Sequence, residues 1–178
     1  MWRGEKVELT AVQREDLAKY VAWLNDWEVS QFLMPGIPAP ISLEDETDWF
    51  ENRRKGKENF VFGIRTLDGK LIGNCGLHGV DLKNRSATFG IFIGDKNYHS
   101  QGYGTDATRT LLRFAFEQLG LNRVDLLVYD FNPRAQRAYE KAGFKRAGVK
   151  RQGLFRNGKF YDEIMMDILR EEWDALNH

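Results

Sequence analysis

The stretch that decides the fold is His99-Ser100-Gln101-Gly102-Tyr103-Gly104-Thr105-Asp106-Ala107. An apolar run over residues 89–93 precedes it, and a helical pattern of apolar residues follows it. Two glycines let the backbone adopt positive φ and come close to a ligand. The N–H groups at the helix start then point at that ligand, and the helix dipole favours an anion. The stretch predicts a phosphate or diphosphate site; a plain strand-to-helix turn, with Asp106 as an ordinary first-turn acid, is the alternative.

The composition is that of a single globular domain, residues 1–178. Lys plus Arg and Asp plus Glu both number 26, and a net charge of zero argues against a general nucleic-acid binder. No apolar run approaches the roughly 20 residues of a membrane span, and no signal peptide is visible, so we expect a cytoplasmic protein without a membrane partner. The single cysteine, Cys75, excludes an internal disulfide and is expected to be buried. No Cys/His cluster has metal spacing, so no metal is expected.

The first half of the chain predicts two helices and an antiparallel meander. Leu17, Tyr20, Val21 and Leu24 recur at helical spacing. Ser42 with Asp45 resembles a capping box and opens a helix that runs to about Lys55. Strands are predicted over 7–9, 60–64, 71–80 and 87–93, with a loop over 34–40.

The second half predicts alternating helices and strands. A helix over 104–119 ends at Gly120, and Asn132-Pro133 opens another that stops at Gly143. The strand over 124–129 is apolar apart from Asp125 and is expected to be buried on both faces. Further strands are predicted over 144–149 and 160–169, joined by a hairpin at Asn157-Gly158, with a short tail helix over 171–178. The expected architecture is α/β of the α+β type, with a mixed, mostly antiparallel sheet of about seven strands and about four helices.

Three blocks together resemble the GCN5-related N-acetyltransferase (GNAT) family. They are Gln101-Gly102-Tyr103-Gly104, then Asn132-Pro133-Arg134-Ala135, then Ala138-Tyr139-Glu140-Lys141-Ala142-Gly143-Phe144. The stretches 23–29 and 162–166 are similar to the branch that contains ribosomal-protein N-terminal and spermidine acetyltransferases. The resemblance covers nearly the whole chain, and the order and spacing of the first two blocks carry it.

The resemblance implies acetyl-CoA as the donor and a primary amine as the acceptor: a protein N-terminus, a polyamine or an amino sugar. The diphosphate is expected on the backbone amides of Ser100, Gln101, Gly102, Tyr103, Gly104 and Thr105. The pantetheine arm is expected along the strand Ile91-Phe92-Ile93, with the sheet splayed near Ile93 and Val128, and beside Asn132. Family members often form dimers, so a homodimer is a possible partner state.

The same resemblance implies a direct attack of the amine on the thioester in a ternary complex. Tyr139 matches the family tyrosine that gives a proton to the departing CoA thiolate, and a core aromatic is the alternative for that position. A backbone N–H near Phe92 or Ile93 is the expected oxyanion donor.

The chain departs from the family pattern where the general base is expected. Leu127 and Thr88 stand at two positions where members often carry an acid. His99 stands where Gln or Arg is common, and either a phosphate contact or a solvated loop residue fits it. The base is left open among Glu28, Glu44, Glu46, His78 and water. Glu44 and Glu46 are expected in a solvated helix turn, and His78 is expected to be structural.

Two other functions compete with the acetyltransferase. Gly102-x-Gly104-x-x-Ala107 with Asp125 matches a dinucleotide-binding fingerprint, although the strand lies too far from the first glycine. The missing acids at Leu127 and Thr88 also fit a non-catalytic acyl-CoA sensor. The acidic bias of residues 26–48 suits a polyamine or a basic protein terminus, and a solvated helix face explains it as well.

Overall fold

The computed structural model describes residues 2–33, 36, 38–53 and 59–177. Its α-helices are α1 (Leu17–Leu24), α2 (Trp27–Ser30), α3 (Leu43–Asn52), α4 (Tyr103–Arg113), α5 (Pro133–Ala142) and α6 (Arg170–Asn177). Its strands are β1 (Trp2–Arg3), β2 (Val7–Ala11), β3 (Phe60–Thr66), β4 (Leu71–Asp81), β5 (Ser86–Ile93), β6 (Arg123–Tyr129), β7 (Lys145–Arg156) and β8 (Lys159–Leu169).

The strands form one sheet in the order β1-β2-β3-β4-β5-β6-β8-β7. Every neighbouring pair is antiparallel except β5 and β6, which run parallel with α4 between them. That parallel pair is short, because Ser86–Thr88 pair with Arg123–Asp125 and the strands then separate. The expected mixed, mostly antiparallel sheet with a splayed centre is confirmed.

Helices cover the two faces of the sheet unequally. The larger core lies under α4 and α5 and includes Leu111, Phe116 and Val124, all fully buried. A smaller core under α1 and α3 includes Leu17, Tyr20 and Leu71. The two cores leave the centre of the sheet open where β5 and β6 diverge, and this gap holds the candidate site.

Capping and turn residues in the sequence predicted most helix ends and turns correctly. Ser42 and Asp45 form the predicted capping box, and the Asn132 side chain accepts from Ala135 N–H with Pro133 in the first turn. Gly143 ends α5 with φ of 107°. The β7–β8 hairpin turns at Asn157-Gly158 as expected. Cys75 is buried, with 1 % of its surface exposed.

The structure corrects several element boundaries. The described residues form eight strands and six α-helices, more than predicted, because the two-residue β1 and the four-residue α2 are too short to show a period in the sequence. The helix predicted over 104–119 changes at Phe114 to a π-helical segment, Phe114–Gln118. β7 continues to Arg156, past two irregularities in its pairing. The predicted helix end near Lys55 and part of the 34–40 loop lie outside the described residues.

The prediction that β6 is buried on both faces is wrong. Val124, Leu126 and Val128 are buried, but half of the Leu127 surface is exposed. The physical reason is that one face of this part of the sheet is not covered: Arg123 and Asp125 on the same face of β6 are also not buried, and Met165, the partner of Leu127 on β8, is 40% exposed. In the described part of the chain, no helix is long and apolar enough to cross a membrane.

Candidate active site

A cleft of about 560 Å³ occupies the gap between β5 and β6. One wall is the end of β5 with the loop into α4, and the other is β6 with the first turns of α5. The segment after α1 reaches over it through Val29, Phe32 and Leu33. The cleft is therefore lined by residues from both halves of the sequence, and it lies where β5 and β6 are no longer hydrogen-bonded to each other.

The loop into α4 presents a run of free backbone amides to the cleft. Ser100 has φ of 59° and Gly102 has φ of 86°, so the chain turns twice through left-handed conformations. No N–H group of residues 100–105 has a hydrogen-bond partner among the described residues, and the first bond of this segment runs from Asp106 N–H to the Gly102 carbonyl. Six consecutive unpartnered amides at a helix start are the arrangement that binds an anion. Of the six residues predicted to hold the diphosphate, Ser100, Gly102, Gly104 and Thr105 line the cleft, and Gln101 and Tyr103 lie between them in the same loop.

Asp106 has a role that the first-turn capping pattern did not suggest. Its carboxylate accepts the backbone N–H groups of Glu5, Lys6 and Val7 at 3.1, 2.8 and 3.0 Å. Gly4 lies so close that a Cβ there would come within 2.4 Å of the Asp106 carboxylate. The turn before β2 is therefore wrapped around the first turn of α4.

Lys6 consequently lies at the amide loop, a contact that no local sequence pattern predicts. Its Cε is 3.6 Å from the position of a Cβ on Gly102, and its ammonium is 5.4 Å from the centre of the Tyr103 ring. Residues 6 and 102 are far apart in the chain, so no short motif could have connected them.

His99 bridges the two walls of the cleft. Its Nε2 lies 2.7 Å from the Ile93 carbonyl oxygen, and its Nδ1 lies 2.9 Å from the Arg134 guanidinium. An arginine can only donate, so Nδ1 accepts and Nε2 carries the proton that is donated to Ile93. Burial lowers the pKa of His99, opposed by the bond to Ile93 and assisted by the Arg134 charge, which favours this neutral form. His99 is neither a solvated loop residue nor free to turn toward a phosphate without breaking these bonds.

The end of β5 offers an open strand edge. Gly94 N–H donates to the Ile72 carbonyl, and the alternation of an antiparallel ladder then turns the backbone of Phe92 toward β4. The backbone groups of Ile91 and Ile93 point the other way, into the gap. Of the two N–H groups considered for an oxyanion, only that of Ile93 faces the cleft.

Asn132 and Tyr139 both line the cleft from α5. The Asn132 oxygen is held by Ala135 N–H at 3.2 Å, which leaves its NH₂ group for a ligand. The Tyr139 ring packs edge-on against Phe89 and Phe144, each with centroids 6.0 Å away. Its hydroxyl has no hydrogen-bond partner among the described residues, and burial raises the pKa of Tyr139 to about 12. The Tyr139 ring is thus packed as a core aromatic, while its hydroxyl is free. This arrangement is compatible with both hypotheses from the sequence, a core aromatic and a proton donor.

The candidate bases do not line the described cleft. Glu28 pairs with Lys96 at 2.7 Å, Glu44 is exposed on α3, and His78 is exposed on β4. Glu46 contradicts the expectation of a solvated helix turn, because only 7 % of its surface is exposed and burial raises its carboxyl pKa. It belongs to the face of α3 that packs toward α1.

Two of the six acids in residues 26–48 are paired with a lysine in the folded chain. Lys96 Nζ lies 2.9 Å from Asp26 and 2.7 Å from Glu28, and these pairs tie the start of α2 to the loop after β5. Asp45 is occupied by the capping box. Within the described residues no group of three or more His, Cys, Asp or Glu side chains is arranged to hold a metal ion.

Charge is divided unevenly along the cleft. The end near the amide loop is lined by five cationic side chains and two acids, one of which, Asp106, is occupied by backbone N–H groups. The cations are Lys6, Arg109, Arg134, Arg137 and Lys141. The lining residues from the segment after α1 and from Leu127 are apolar, namely Val29, Phe32, Leu33 and Leu127, and this apolar end meets the cationic end where the Arg134 guanidinium lies 5.8 Å from the Phe32 ring centre. The first end suits a polyanion, and the second suits an uncharged or weakly charged group.

The chain is similar to known acetyltransferases in its sequence. The family model described as acetyltransferase (GNAT) domain matches residues 6–145. The SPbeta prophage-derived uncharacterized N-acetyltransferase YokL of Bacillus subtilis is 32% identical over 178 residues, covering 99% of this chain and 97% of the relative. The putative ribosomal N-acetyltransferase YdaF of the same organism is 37% identical over 128 residues, covering 72% of this chain and 68% of the relative.

A solved structure shares the fold at lower sequence identity. The spermidine N-acetyltransferase from Vibrio cholerae, in complex with CoA and spermine, superposes with a TM-score of 0.86 at 24% identity. The superposition covers 94% of this chain and 97% of that one. The likeness establishes the common fold.

Proposed function

This chain belongs to the GNAT acetyltransferase family and is an N-acetyltransferase that takes its acetyl group from acetyl-CoA, and we propose that its acceptor is the primary amine of a protein or peptide N-terminus. The observation that carries the proposal is the division of one cleft into a cationic end with free amides and an apolar end.

The donor fits the residues at the cationic end. The free amides of residues 100–105 would hold the diphosphate, and the open edge at Ile91 and Ile93 would pair with the pantetheine arm. The NH₂ group of Asn132 faces the same cleft and would bond that arm. Bound acetyl-CoA supplies the activated acetyl thioester.

Tyr139 would serve as the acid that protonates the departing thiolate. The pKa near 12 keeps the hydroxyl protonated at neutral pH, and the absence of an intramolecular partner among the described residues leaves the proton available. Packing against Phe89 and Phe144 fixes the ring, so the hydroxyl has a defined position. The Ile93 N–H, which faces the gap, would stabilise the oxyanion as the amine attacks the thioester directly.

Deprotonation of the acceptor is assigned to water. No carboxylate lines the apolar end of the cleft in the part of the chain that the structure describes. Asp125 is the carboxylate two residues before Leu127 on β6, but it bonds Thr88 at 2.9 Å and lies 3.4 Å from Arg123. An amine that enters partly as its neutral form needs no side-chain base.

The apolar end favours a terminal amine over a free polyamine. A polyamine carries several ammonium groups, and the described residues of this end, Val29, Phe32 and Leu127, supply no carboxylate to pair with them. The name of YdaF, a putative ribosomal N-acetyltransferase, agrees with a protein acceptor. The spermidine enzyme of Vibrio cholerae supports the polyamine as the competing acceptor.

Steady-state acetylation of matched acceptors tests the proposal. Peptides with N-terminal Ser, Ala or Met and a neutral second residue are compared with spermidine and an amino sugar, with release of the CoA thiol as the readout. We expect kcat/KM to be at least about tenfold higher for one of the peptides, a gap that corresponds to about 1.4 kcal/mol. Preference for spermidine would reject the terminal amine and retain the acetyltransferase.

A further inference from the structure

The proposed donor site leaves one group at the amide loop without an assigned role, the ammonium of Lys6. Lys6 is exposed, and it has no ion-pair partner among the described residues. Its Cε lies 3.6 Å from where a Cβ on Gly102 would stand, so the side chain passes the middle of the segment with the six free amides. The ammonium also lies 5.4 Å from the Tyr103 ring centre, on the first residue of α4.

The backbone of Lys6 is held at this place by a hydrogen bond to Asp106. The backbone N–H of Lys6 is the middle one of three that converge on the Asp106 carboxylate, at 2.8 Å. Gly4 N–H closes the same turn on the Val7 carbonyl at 2.8 Å. Because Asp106 belongs to the first turn of α4, the turn that carries Lys6 and the amide loop form one unit.

This arrangement reduces the repulsion between the Asp106 carboxylate and a phosphate bound at the amide loop. An acid in the first turn of a helix lies beside an anion site and would repel a phosphate. The three N–H groups from residues 5–7 compensate the Asp106 carboxylate, and the neighbouring cation, Lys6, is delivered to the anion side. The sequence pattern identified Asp106 only as an ordinary first-turn acid.

We propose that Lys6 binds the diphosphate of the donor together with the amides of residues 100–105, and that Asp106 is the positioning residue that holds Lys6 there. The inference rests on the proposed donor site and adds a specific cation to it. It assigns to the turn before β2 a part in recognising a diphosphate-bearing thioester over one that lacks phosphates.

Calorimetric titration with CoA tests the assignment without relying on turnover. Lys6→Ala is expected to raise the Kd for CoA about tenfold, the usual effect of losing one charge-assisted contact. Lys6→Arg should retain most of the affinity. Lys159→Ala, which removes an equally exposed cation from the β7–β8 hairpin, is the matched control and should leave the Kd unchanged.

A donor without phosphates distinguishes loss of the contact between Lys6 and the diphosphate from a general effect of Lys6→Ala on the enzyme. With S-acetylpantetheine as donor, wild type and Lys6→Ala should give the same kcat/KM, because the lost partner is the diphosphate. An equal loss with both donors, or no change in the Kd for CoA, would overturn the assignment of Lys6. A wild-type protein that binds no CoA would overturn the proposed donor site and this inference with it.

Gly4→Ala, alone and combined with Lys6→Ala, tests the positioning role of Asp106. Gly4→Ala changes no charge but forces a methyl group within 2.4 Å of the Asp106 carboxylate, so it should displace the turn. We expect it to weaken CoA binding in the same direction as Lys6→Ala and to add little when combined with it. Full additivity of the two variants, in protein shown to be folded by circular dichroism, would reject the coupling between the turn and Lys6.

Discussion

The donor end of the cleft, residues 91–106, and the acceptor end, residues 26–33 with Leu127, differ in which groups they leave free. At the donor end the N–H groups of 100–105 have no partner among the described residues, and the β5 edge beyond Thr88 faces the gap, where the Ile93 carbonyl accepts from His99. At the acceptor end the charged side chains are already paired, since Asp26 and Glu28 both bond Lys96. In the function proposed above, the donor end would bind its ligand mainly through main-chain groups, which most substitutions preserve, and the acceptor end would bind through side chains, which a single substitution can change.

The largest expected effect comes from the residue between the two ends. Tyr139→Phe should lower kcat about a hundredfold, because general acid catalysis contributes at least that much. The Kd for CoA should change little, since the ring packing against Phe89 and Phe144 is preserved. Stopped-flow or steady-state turnover with a parallel titration of CoA measures both. An unchanged kcat would remove Tyr139 from the chemistry.

The pH dependence tests whether the acceptor end supplies a base. If water removes the proton, kcat/KM should fall about tenfold for each pH unit below the pKa of the acceptor amine. Raising the pH converts ammonium to amine, so the rate rises toward that pKa, and the Tyr139 hydroxyl stays protonated until its own pKa near 12. The inflection should move when acceptors of different pKa are compared. An inflection that stays at one pH for all acceptors would indicate a side-chain base.

The donor end should be sensitive to backbone strain at one glycine. Gly102→Ala places a side chain at φ of 86° and should weaken CoA binding about tenfold, as strain of about 1–2 kcal/mol distorts the amide loop. Gly69→Ala introduces a comparable strain at φ of 90° in the β3–β4 turn, away from the cleft. Titration of CoA into both variants, with thermal unfolding as the stability readout, separates the two effects. Equal CoA affinity in both would argue against the amide loop as the diphosphate site.

The apolar acceptor end should respond to loss of an aromatic ring. Phe32 lies 5.8 Å from the Phe131 ring and 5.8 Å beneath the Arg134 guanidinium. Phe32→Ala should raise the acceptor KM about fivefold, the effect of losing roughly 1 kcal/mol of aromatic contact. The Kd for CoA serves as the internal control and should change less. A larger change in CoA binding than in acceptor KM would place Phe32 at the donor end.

The smallest expected effect is a change in acceptor preference. Lys96→Met releases Asp26 and Glu28 from their ion pairs and should lower the KM for spermidine about twofold, as exposed pairs carry little energy. The KM for a neutral peptide should stay the same. Lys83→Met, at an exposed site in the β4–β5 turn, is the charge-matched control. A fall in both KM values would indicate a general effect on the cleft.

The sequence predicted the elements that local chemistry controls. The turn at Asn157-Gly158, the Ser42 capping box and the Asn132-Pro133 helix start depend on residues within a few positions of each other, and all three were correct. The short β1 and α2 were missed, because two or four residues cannot display a periodicity. The π-helical turn after Arg113 gave no local signal either.

The contacts that shape the cleft were decided by the tertiary structure. His99 meets Arg134 from 35 positions away, and Lys6 meets Asp106 from 100 positions away, so no window of sequence contains both partners. The apolar sequence of β6 predicted burial, but Leu127 is exposed because no element covers its face of the sheet, where its β8 partner Met165 is also exposed. Sequence alone thus determined the family, the glycine loop and the helix caps, all of which act through neighbouring backbone groups. Only the folded sheet determined which backbone edge stays open and which charges meet across it, because both depend on the packing of distant segments.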